Sequence, residues 1–200
     1  MNKFKFVIFV IILSFVFFKV LMALPKDQIA SSKTIKMPVP IMKQIKEDYP
    51  KKISRFQASE IFCLAKNIYF EAAIESTAGK IAVAQVTMNR VRSQNYPDSI
   101  CKVVYEGKHH SNGFPVRDRC QFSWYCDGKG DEPRPTPAWK DSVEIAEYII
   151  RTPSLLDITD GATHYHADWM EKFPKWAHQK KKLVKIDTHI FYKKRNNFSF

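Results

Sequence analysis

The chain has 200 residues, of which 45% are hydrophobic and 14% aromatic. This size and composition suit one compact domain with a core and exclude a chain that is disordered throughout. The formal net charge of +12 favours polyanionic partners. No zinc-finger spacing, glycine-rich phosphate loop or RNA-binding aromatic motif accompanies that charge, so we expect no nucleic-acid partner.

The first 24 residues predict export from the cytoplasm. A basic start with Lys3 and Lys5 precedes an apolar run that Lys19 interrupts. The run fits a secretory signal, and read through Lys19 it approaches the ~20 residues that span a bilayer. We interpret residues 1–24 as a signal peptide or a membrane anchor, with residues 4–24 as the segment that would contact the membrane.

Residues 25–53 show no sustained apolar period and are predicted to be a spacer, interrupted by Pro38, Pro40 and Pro50. Residues 54–195 are then predicted to form a single folded domain. After export, this domain would lie in the periplasm or cell envelope, either tethered to the membrane or secreted.

Two helices are predicted at the start of this domain. Ser54 and Gln57 stand at the spacing of a capping box, just before apolar residues that recur every three or four positions. This pattern predicts a helix over about 56–74. Residues 80–91 are apolar on nearly all sides, which indicates a helix buried in the centre of the domain.

Two further helices follow from capping signals. Asp98 is expected to cap a short helix that runs to Tyr105. Thr136 and Pro137 occupy the N-cap and first helical positions of another helix, which is predicted to end at about Arg151.

The remaining segments predict loops and strands. Residues 106–120 are expected to form a polar loop, and residues 121–125 either a strand or a tight turn. Short strands are predicted at 163–167, 183–186 and 189–192. Helices that precede a small antiparallel sheet define an α+β fold.

Glu71 is the candidate catalytic residue. It follows Ile68 by three positions and Leu64 by seven, so it lies on the apolar face of its predicted helix. Burial raises the pKa of a carboxyl group, as the general acid of glycoside cleavage requires. The alternative is a helix-end glutamate that faces solvent or pairs with an arginine. Glu75, ~6 Å further along the axis, is either a second carboxylate of the site or a local contact near Gly79.

The four cysteines, which follow an export signal, predict disulfides, although zinc binding is a rival interpretation. Three pairings are open to four cysteines. We expect Cys63–Cys101, which would join two predicted helices, and Cys120–Cys126. The second bond requires residues 121–125 to turn back, because a straight strand would separate its ends by ~20 Å, whereas a disulfide tolerates ~4.4–6.8 Å.

Several ordered segments resemble the SleB/CwlJ-type cell-wall hydrolases, named for spore-cortex-lytic enzymes. The resemblance covers residues 58–193, nearly all of the predicted domain. Its segments are CLAKNIYFEA (63–72), GKIAVAQVTMNRV (79–91), YP (96–97), ICKVVY (100–105), CQFSW (120–124), GATHYH (161–166) and HIFY (189–192).

The resemblance implies a lysozyme-like lytic transglycosylase, with a helical core and a small sheet, here preceded by an N-terminal hydrophobic helix. It implies Glu71 as the catalytic residue, no cofactor or metal, and cleavage between N-acetylmuramic acid and N-acetylglucosamine that leaves a 1,6-anhydro end. One glutamate can give its proton first and then take one from the sugar's own hydroxyl. The chain departs from the family where Ala73 and Ile74 replace the common Arg-Gly, which removes a candidate substrate contact.

The same resemblance makes other residues candidates for contact with the sugar strand, by stacking or hydrogen bonding. They are Glu75, Gln121, Ser123, Trp124, His164 and Tyr165. His164 and His166 are also the basis of a zinc alternative, because they place two imidazoles on one face of a predicted strand.

Three functions follow in order of preference. The first is an exported, monomeric enzyme of residues 54–195 that cuts the glycan strands of peptidoglycan, as a lytic transglycosylase or muramidase. The second is a wall-binding module without turnover, which the Ala73-Ile74 change would permit. The third is a zinc-dependent amidase that uses His164 and His166.

Overall fold

The computed structural model describes residues 54–195. The predicted signal or anchor (1–24, with its membrane segment 4–24) and the predicted spacer (25–53) lie outside the described residues. Within the described part, no helix combines the length and the apolar character needed to cross a membrane.

Helices come first and most strands last, which confirms the α+β prediction. The described helices are α1 (Arg55–Ala72), α2 (Thr77–Arg92), α3 (Ile100–Val104) and α4 (Pro137–Arg151), with short 3-10 helices at Ser123–Cys126 and Lys175–Gln179. The strands are β1 (Gly107–His109), β2 (Pro115–Cys120), β3 (His164–Ala167), β4 (Lys181–Ile186) and β5 (His189–Lys193).

Helix α1 begins with the predicted capping box. The Ser54 hydroxyl accepts from the Gln57 backbone N–H at 3.1 Å, and the Gln57 side chain accepts from the Ser54 backbone N–H at 3.2 Å. The helix ends at Ala72 and packs against α2, α3 and α4. This position places the last turn of α1, which carries Glu71, against the other helices.

Helix α2 is buried along its length, as its apolar sequence predicts. It is fixed to α1 by a hydrogen bond that the Asn67 side-chain amide donates to the Thr87 hydroxyl at 3.2 Å. Both residues have no exposed surface. A buried amide left without partners costs about 1–3 kcal/mol, so this bond fixes how the two helices pack.

The expectation that Asp98 caps helix α3 is wrong. Asp98 instead pairs with Lys102 at 2.9 Å on the surface. The first backbone N–H groups of α3 are bound by the Glu60 carboxylate, at 2.6 Å from Ile100 N and 3.5 Å from Cys101 N. The cap therefore comes from α1 rather than from the adjacent sequence.

The prediction of a loop over residues 106–120 is also wrong. Strands β1 and β2 pair there as an antiparallel ribbon, with Gly107 opposite Cys120. The residues of both strands are exposed or half-buried. Because neither face is buried, the sequence needs no apolar alternation, and the pairing leaves no hydrophobic pattern.

The three strands predicted late in the chain are confirmed and form an antiparallel sheet in the order β3-β5-β4. The sheet packs on the central helix through a core of buried side chains that includes Ala82 and Val86 from α2 and Phe191 from β5. Tyr165 of β3 lies beside Phe191 and packs against this core. The sheet thereby presents the tyrosine toward the helices.

Both predicted disulfides are present. Cys63–Cys101 joins α1 to α3 with Cα atoms 5.2 Å apart. Cys120–Cys126 spans 6.1 Å between Cα atoms, because the 3-10 helix Ser123–Cys126 turns the chain back. The tight-turn interpretation of residues 121–125 is therefore the correct one.

The two disulfides should differ in their effect on stability. In the chain-entropy account, a cross-link that closes a longer loop removes more entropy from the unfolded chain, and the sequence separations here are 38 and 6. We expect the double variant Cys63→Ala/Cys101→Ala to lose about 4 kcal/mol, and Cys120→Ala/Cys126→Ala about 2 kcal/mol. Urea denaturation under oxidising conditions measures both, and the reverse order would contradict this account.

Candidate active site

Glu71 is held in the last turn of α1 by a hydrogen bond from the sheet. The Tyr165 hydroxyl donates to Glu71 Oε2 at 3.0 Å. Burial raises the pKa of the Glu71 carboxyl above its usual value, and the Tyr165 hydrogen bond and the charge of Arg90 only partly oppose this effect. A raised carboxyl pKa keeps more of the acid protonated, so Glu71 is equipped to donate a proton.

Tyr165 is itself rigidly packed. Its ring meets the His189 ring edge-on at 5.1 Å and lies 5.7 Å from the Phe191 ring. Burial, together with the Glu71 carboxylate, raises the pKa of Tyr165 well above its usual value. The phenol therefore stays neutral and remains a hydrogen-bond donor to Glu71.

Arg90 is the residue of the site that sequence reasoning missed. It is 4% exposed, and its Nε donates to the Thr163 carbonyl at 2.8 Å. Its guanidinium carbon lies 4.8 Å from the Phe122 ring centre and 5.4 Å from that of Tyr96. The available signal was an arginine in a helix that the sequence predicts to be buried, because a buried charge needs a specific environment.

Glu75, a candidate second carboxylate, contacts the turn between β4 and β5. Its Oε1 accepts from the Thr188 hydroxyl at 2.6 Å, and its side chain is 6% exposed. The His189 ring lies beside it, with Nδ1 4.0 Å from Oε1. The sequence left two interpretations of Glu75 open, a second carboxylate of the site or a local contact near Gly79. The contact with Thr188 corresponds to the second of these.

Gly79 belongs to the same contact. Asp187, in the β4–β5 turn, accepts from the Ser76 backbone N–H at 2.9 Å and from the Ser76 hydroxyl at 2.7 Å, at the start of α2. A Cβ atom on residue 79 would collide with the Asp187 carboxylate and would lie 2.8 Å from the Glu75 Cβ. Only glycine allows the turn and α2 to approach this closely.

The segment from Gln121 to Trp124 alternates between surface and core. Gln121 and Ser123 are exposed, whereas Phe122 and Trp124 are buried. The Trp124 indole N–H donates to Asn67 Oδ1 at 3.1 Å, and the ring stacks on Phe70 at 4.7 Å. Trp124 therefore supports α1 from within the core, whereas the side chains of Gln121 and Ser123 face solvent.

His164 and His166 are packed against the aromatic side chains on their side of β3. His164 lies 2.9 Å from the Thr163 hydroxyl, and its pKa is lowered to about 4, first by burial and then by the charges of Lys180 and Arg90. Both ring nitrogens of His166 have partners, the Ala167 carbonyl and the Tyr192 hydroxyl, each at 2.9 Å.

Within residues 54–195, no three His, Cys, Asp or Glu side chains are grouped so that they could hold a metal ion. The described residues therefore place no third ligand next to His164 and His166, which the zinc alternative requires.

The half-buried Glu71 at the end of α1 accepts a hydrogen bond from a tyrosine of the small antiparallel sheet. The sequence also matches a known family. A family model described as cell wall hydrolase matches residues 74–192, more than half of the chain. The chain belongs to this cell wall hydrolase family. No curated protein matches the sequence.

Two solved structures share the fold and specify the type within the family. The catalytic domain of the Bacillus cereus SleB protein is 26% identical, with a TM-score of 0.51 over 72% of this chain and 94% of that one. The catalytic domain of the germination-specific lytic transglycosylase SleB from Bacillus anthracis is also 26% identical, with a TM-score of 0.51 over 72% of this chain and all of that one. The SleB/CwlJ-type resemblance is confirmed.

Family and fold together make this chain a peptidoglycan hydrolase, a class that acts outside the cytoplasm or in the cell envelope. The family match begins at residue 74, three positions after Glu71. The matched segment therefore includes Tyr165 and Arg90 but not Glu71.

The contacts of Glu75 predict a role in stability. We expect Glu75→Ala to lower the free energy of unfolding by about 1–3 kcal/mol, because the Thr188 hydroxyl loses its acceptor in a half-buried site. Glu171→Ala, at an exposed position, is the control and should change it by less than about 0.5 kcal/mol. A Glu75 variant that unfolds like the parent but lyses wall poorly would instead indicate a substrate contact.

Proposed function

We propose that this chain is a lytic transglycosylase that cleaves peptidoglycan between N-acetylmuramic acid and N-acetylglucosamine, with Glu71 as the general acid and base. The observation that carries the proposal is the desolvated Glu71 carboxyl, bound by the Tyr165 hydroxyl at 3.0 Å. Residues 54–195 form the catalytic domain in this proposal, and export through residues 1–24 delivers it to the wall.

The reaction proceeds in two proton transfers at Glu71. The protonated carboxyl first donates to the glycosidic oxygen, and the bond from that oxygen to the sugar C1 breaks. The carboxylate then takes the proton of the same muramic acid's 6-hydroxyl, whose oxygen bonds to C1. The product carries a 1,6-anhydro end, and Glu71 is protonated again for the next cleavage.

The surroundings of Glu71 suit both transfers. Burial raises the pKa of the Glu71 carboxyl and so favours its protonated form before the first step. Once the proton has left, the Tyr165 hydrogen bond and the positive charge of Arg90 stabilise the carboxylate that remains. Tyr165 is a residue of β3, and Arg90 is bound to the carbonyl of Thr163, the residue that precedes this strand.

The position of Glu75 favours a mechanism with one carboxyl group. An enzyme with two carboxyls needs the second as a nucleophile or as a base for water. The Glu75 carboxylate instead accepts from Thr188 and is almost fully buried. This arrangement favours the anhydro product over the hydrated product of a muramidase.

Substrate contacts are proposed for the exposed side chains of Gln121 and Ser123 and for the Tyr165 hydroxyl. His164 is half-buried, and with its low pKa it would meet a sugar as a neutral imidazole, able to donate or accept a hydrogen bond. Trp124 and Glu75 would act on substrate only through the residues they support.

The proposal predicts that Glu71→Gln lowers wall lysis about a hundredfold or more while the protein still folds and binds the wall. The amide keeps the shape of the side chain but cannot donate a proton as a carboxylic acid does. Turbidity loss of purified peptidoglycan measures lysis, and the mass of the soluble fragments identifies the chemistry. Glu171→Gln, at an exposed position, is the matched control and should lyse like the parent.

Each product has its own meaning in that experiment. Anhydro-muramic ends from the parent chain support the transglycosylase, and hydrated reducing ends indicate a muramidase. Free stem peptides indicate an amidase, and binding without any product indicates a wall-binding module. Lysis by Glu71→Gln above about a tenth of the parent rate would contradict the role of Glu71.

The same proposal predicts that lysis is insensitive to metal removal, because proton transfer by a carboxyl group needs no metal ion. Activity on purified peptidoglycan should be unchanged after incubation with EDTA and gel filtration. Loss of activity that added Zn²⁺ restores would indicate the zinc amidase and the His164/His166 pair.

A further inference from the structure

One end of the β3-β5-β4 sheet collects lysine side chains. Because the strands are antiparallel, the start of β4 and the end of β5 lie at the same end of the sheet as the start of β3. Lys181 of β4 stands directly opposite Lys193 of β5. Lys180 and Lys194 are the next residues outward along the two segments. We call these four residues the lysine end.

Most of the positive charge of the lysine end is uncompensated. Lys193 pairs with Asp160 at 3.4 Å. Lys180, Lys181 and Lys194 make no ion pair with any residue in the described part of the chain. Like charges directly opposite each other in a sheet are destabilising. A surface that bears this cost is suited to an anionic ligand.

Protection of the sheet edge does not account for the lysine end. Strand β4 is an edge strand, and exposed lysines on an edge hinder pairing with another chain. That reason applies to Lys181 but not to Lys193, which belongs to the central strand β5. The pair therefore concentrates more charge than edge protection requires.

The Lys181–Lys193 pair is on the same face of the sheet as Tyr165. Tyr165 stands opposite Phe191, and Lys193 is two residues further along β5. Residues that are paired across strands, or two apart on one strand, share a face of the sheet. The exposed Lys181 is therefore on the face from which the Tyr165 hydroxyl binds Glu71.

The distance between Tyr165 and Lys181 suits a peptide attached to the substrate. The register separates them by two interstrand spacings of ~4.8 Å and two residues of ~3.4 Å, or ~12 Å in all. In peptidoglycan, N-acetylmuramic acid carries a short stem peptide on its lactyl group, and this peptide bears free carboxylates. The proposed reaction places a muramic acid at Glu71, because its C1 is the reacting atom. An extended peptide of about four residues spans ~13 Å, so its carboxylates can reach the lysines.

We propose that the lysine end is a docking surface for the carboxylates of the stem peptide on the muramic acid bound at Glu71. The proposal rests on the proposed function and adds a substrate preference to it, because glycan strands that carry peptides are bound more tightly than bare strands. Exposed ion pairs are individually weak and are screened by salt. The preference is therefore modest and falls as the ionic strength rises.

The test compares two soluble substrates of the full chain. One is uncross-linked glycan strands that carry their stem peptides, and the other is the same strands after an amidase has removed the peptides. At subsaturating substrate and low salt, we expect the parent to cleave the peptide-bearing strands about fivefold faster than the bare strands. In Lys181→Gln/Lys194→Gln the preference should fall to about twofold or less, through a higher KM for peptide-bearing strands at unchanged kcat.

A matched control separates this surface from the net charge of the protein. Lys108→Gln/Lys172→Gln removes the same charge from two exposed lysines elsewhere in the domain and should keep the preference of the parent. Cleavage of the bare strands shows in the same assay that each variant is folded.

Three results would overturn the inference. The first is equal cleavage of the two substrates by the parent. The second is a Lys181→Gln/Lys194→Gln variant that keeps the parent's preference, or that loses no more of it than the control variant does. The third is loss of binding to vesicles of anionic lipid in that variant with the substrate preference intact, which would assign the surface to lipid instead.

Glu71→Gln tests the proposed function separately in the same assay. If this variant cleaves neither substrate, the proposed function stands, whichever way the preference of the parent falls. If it cleaves both substrates like the parent, the proposed function is wrong, and the inference that rests on it is wrong as well.

Discussion

The architecture of the site depends on one buried side-chain amide. Asn67 lies one turn before Glu71 on α1 and is fully buried. It donates to Thr87 of α2 and accepts from Trp124, so both sides of the amide are satisfied. Because an unpaired buried amide costs about 1–3 kcal/mol, neither neighbour can shift without a penalty. The last turn of α1 is therefore fixed between α2 and the turn that follows β2.

The sequence allows most of the fold to be predicted where burial leaves a pattern. The capping box at Ser54 and Gln57, the apolar run of α2 and the strand that contains Tyr165 all follow from local rules. Two predictions, the loop at residues 106–120 and the Asp98 cap, failed for different reasons. The β1–β2 ribbon buries neither face and so leaves no pattern, and the cap of α3 comes from Glu60, which is distant in sequence.

The site could be predicted only in part, for a related physical reason. The position of Glu71 on an apolar helix face indicated a desolvated acid without any knowledge of its neighbours. The hydrogen bond from Tyr165 and the charge of Arg90 depend on how β3 packs on the helices, which no local spacing encodes. Trp124 was predicted to contact the sugar strand because it stands between polar residues in the sequence. In the structure its indole N–H instead donates to Asn67, a contact that the sequence does not indicate.

The disulfide between Cys120 and Cys126 also bears on how the protein is produced. It closes the turn that seats Phe122 over Arg90 and Trp124 against Asn67. A chain expressed in a reducing cytoplasm would carry free thiols at these positions and would lack that closure. Preparations from the cytoplasm and from an oxidising compartment are thus chemically different samples, and specific activities compare meaningfully only after thiol titration.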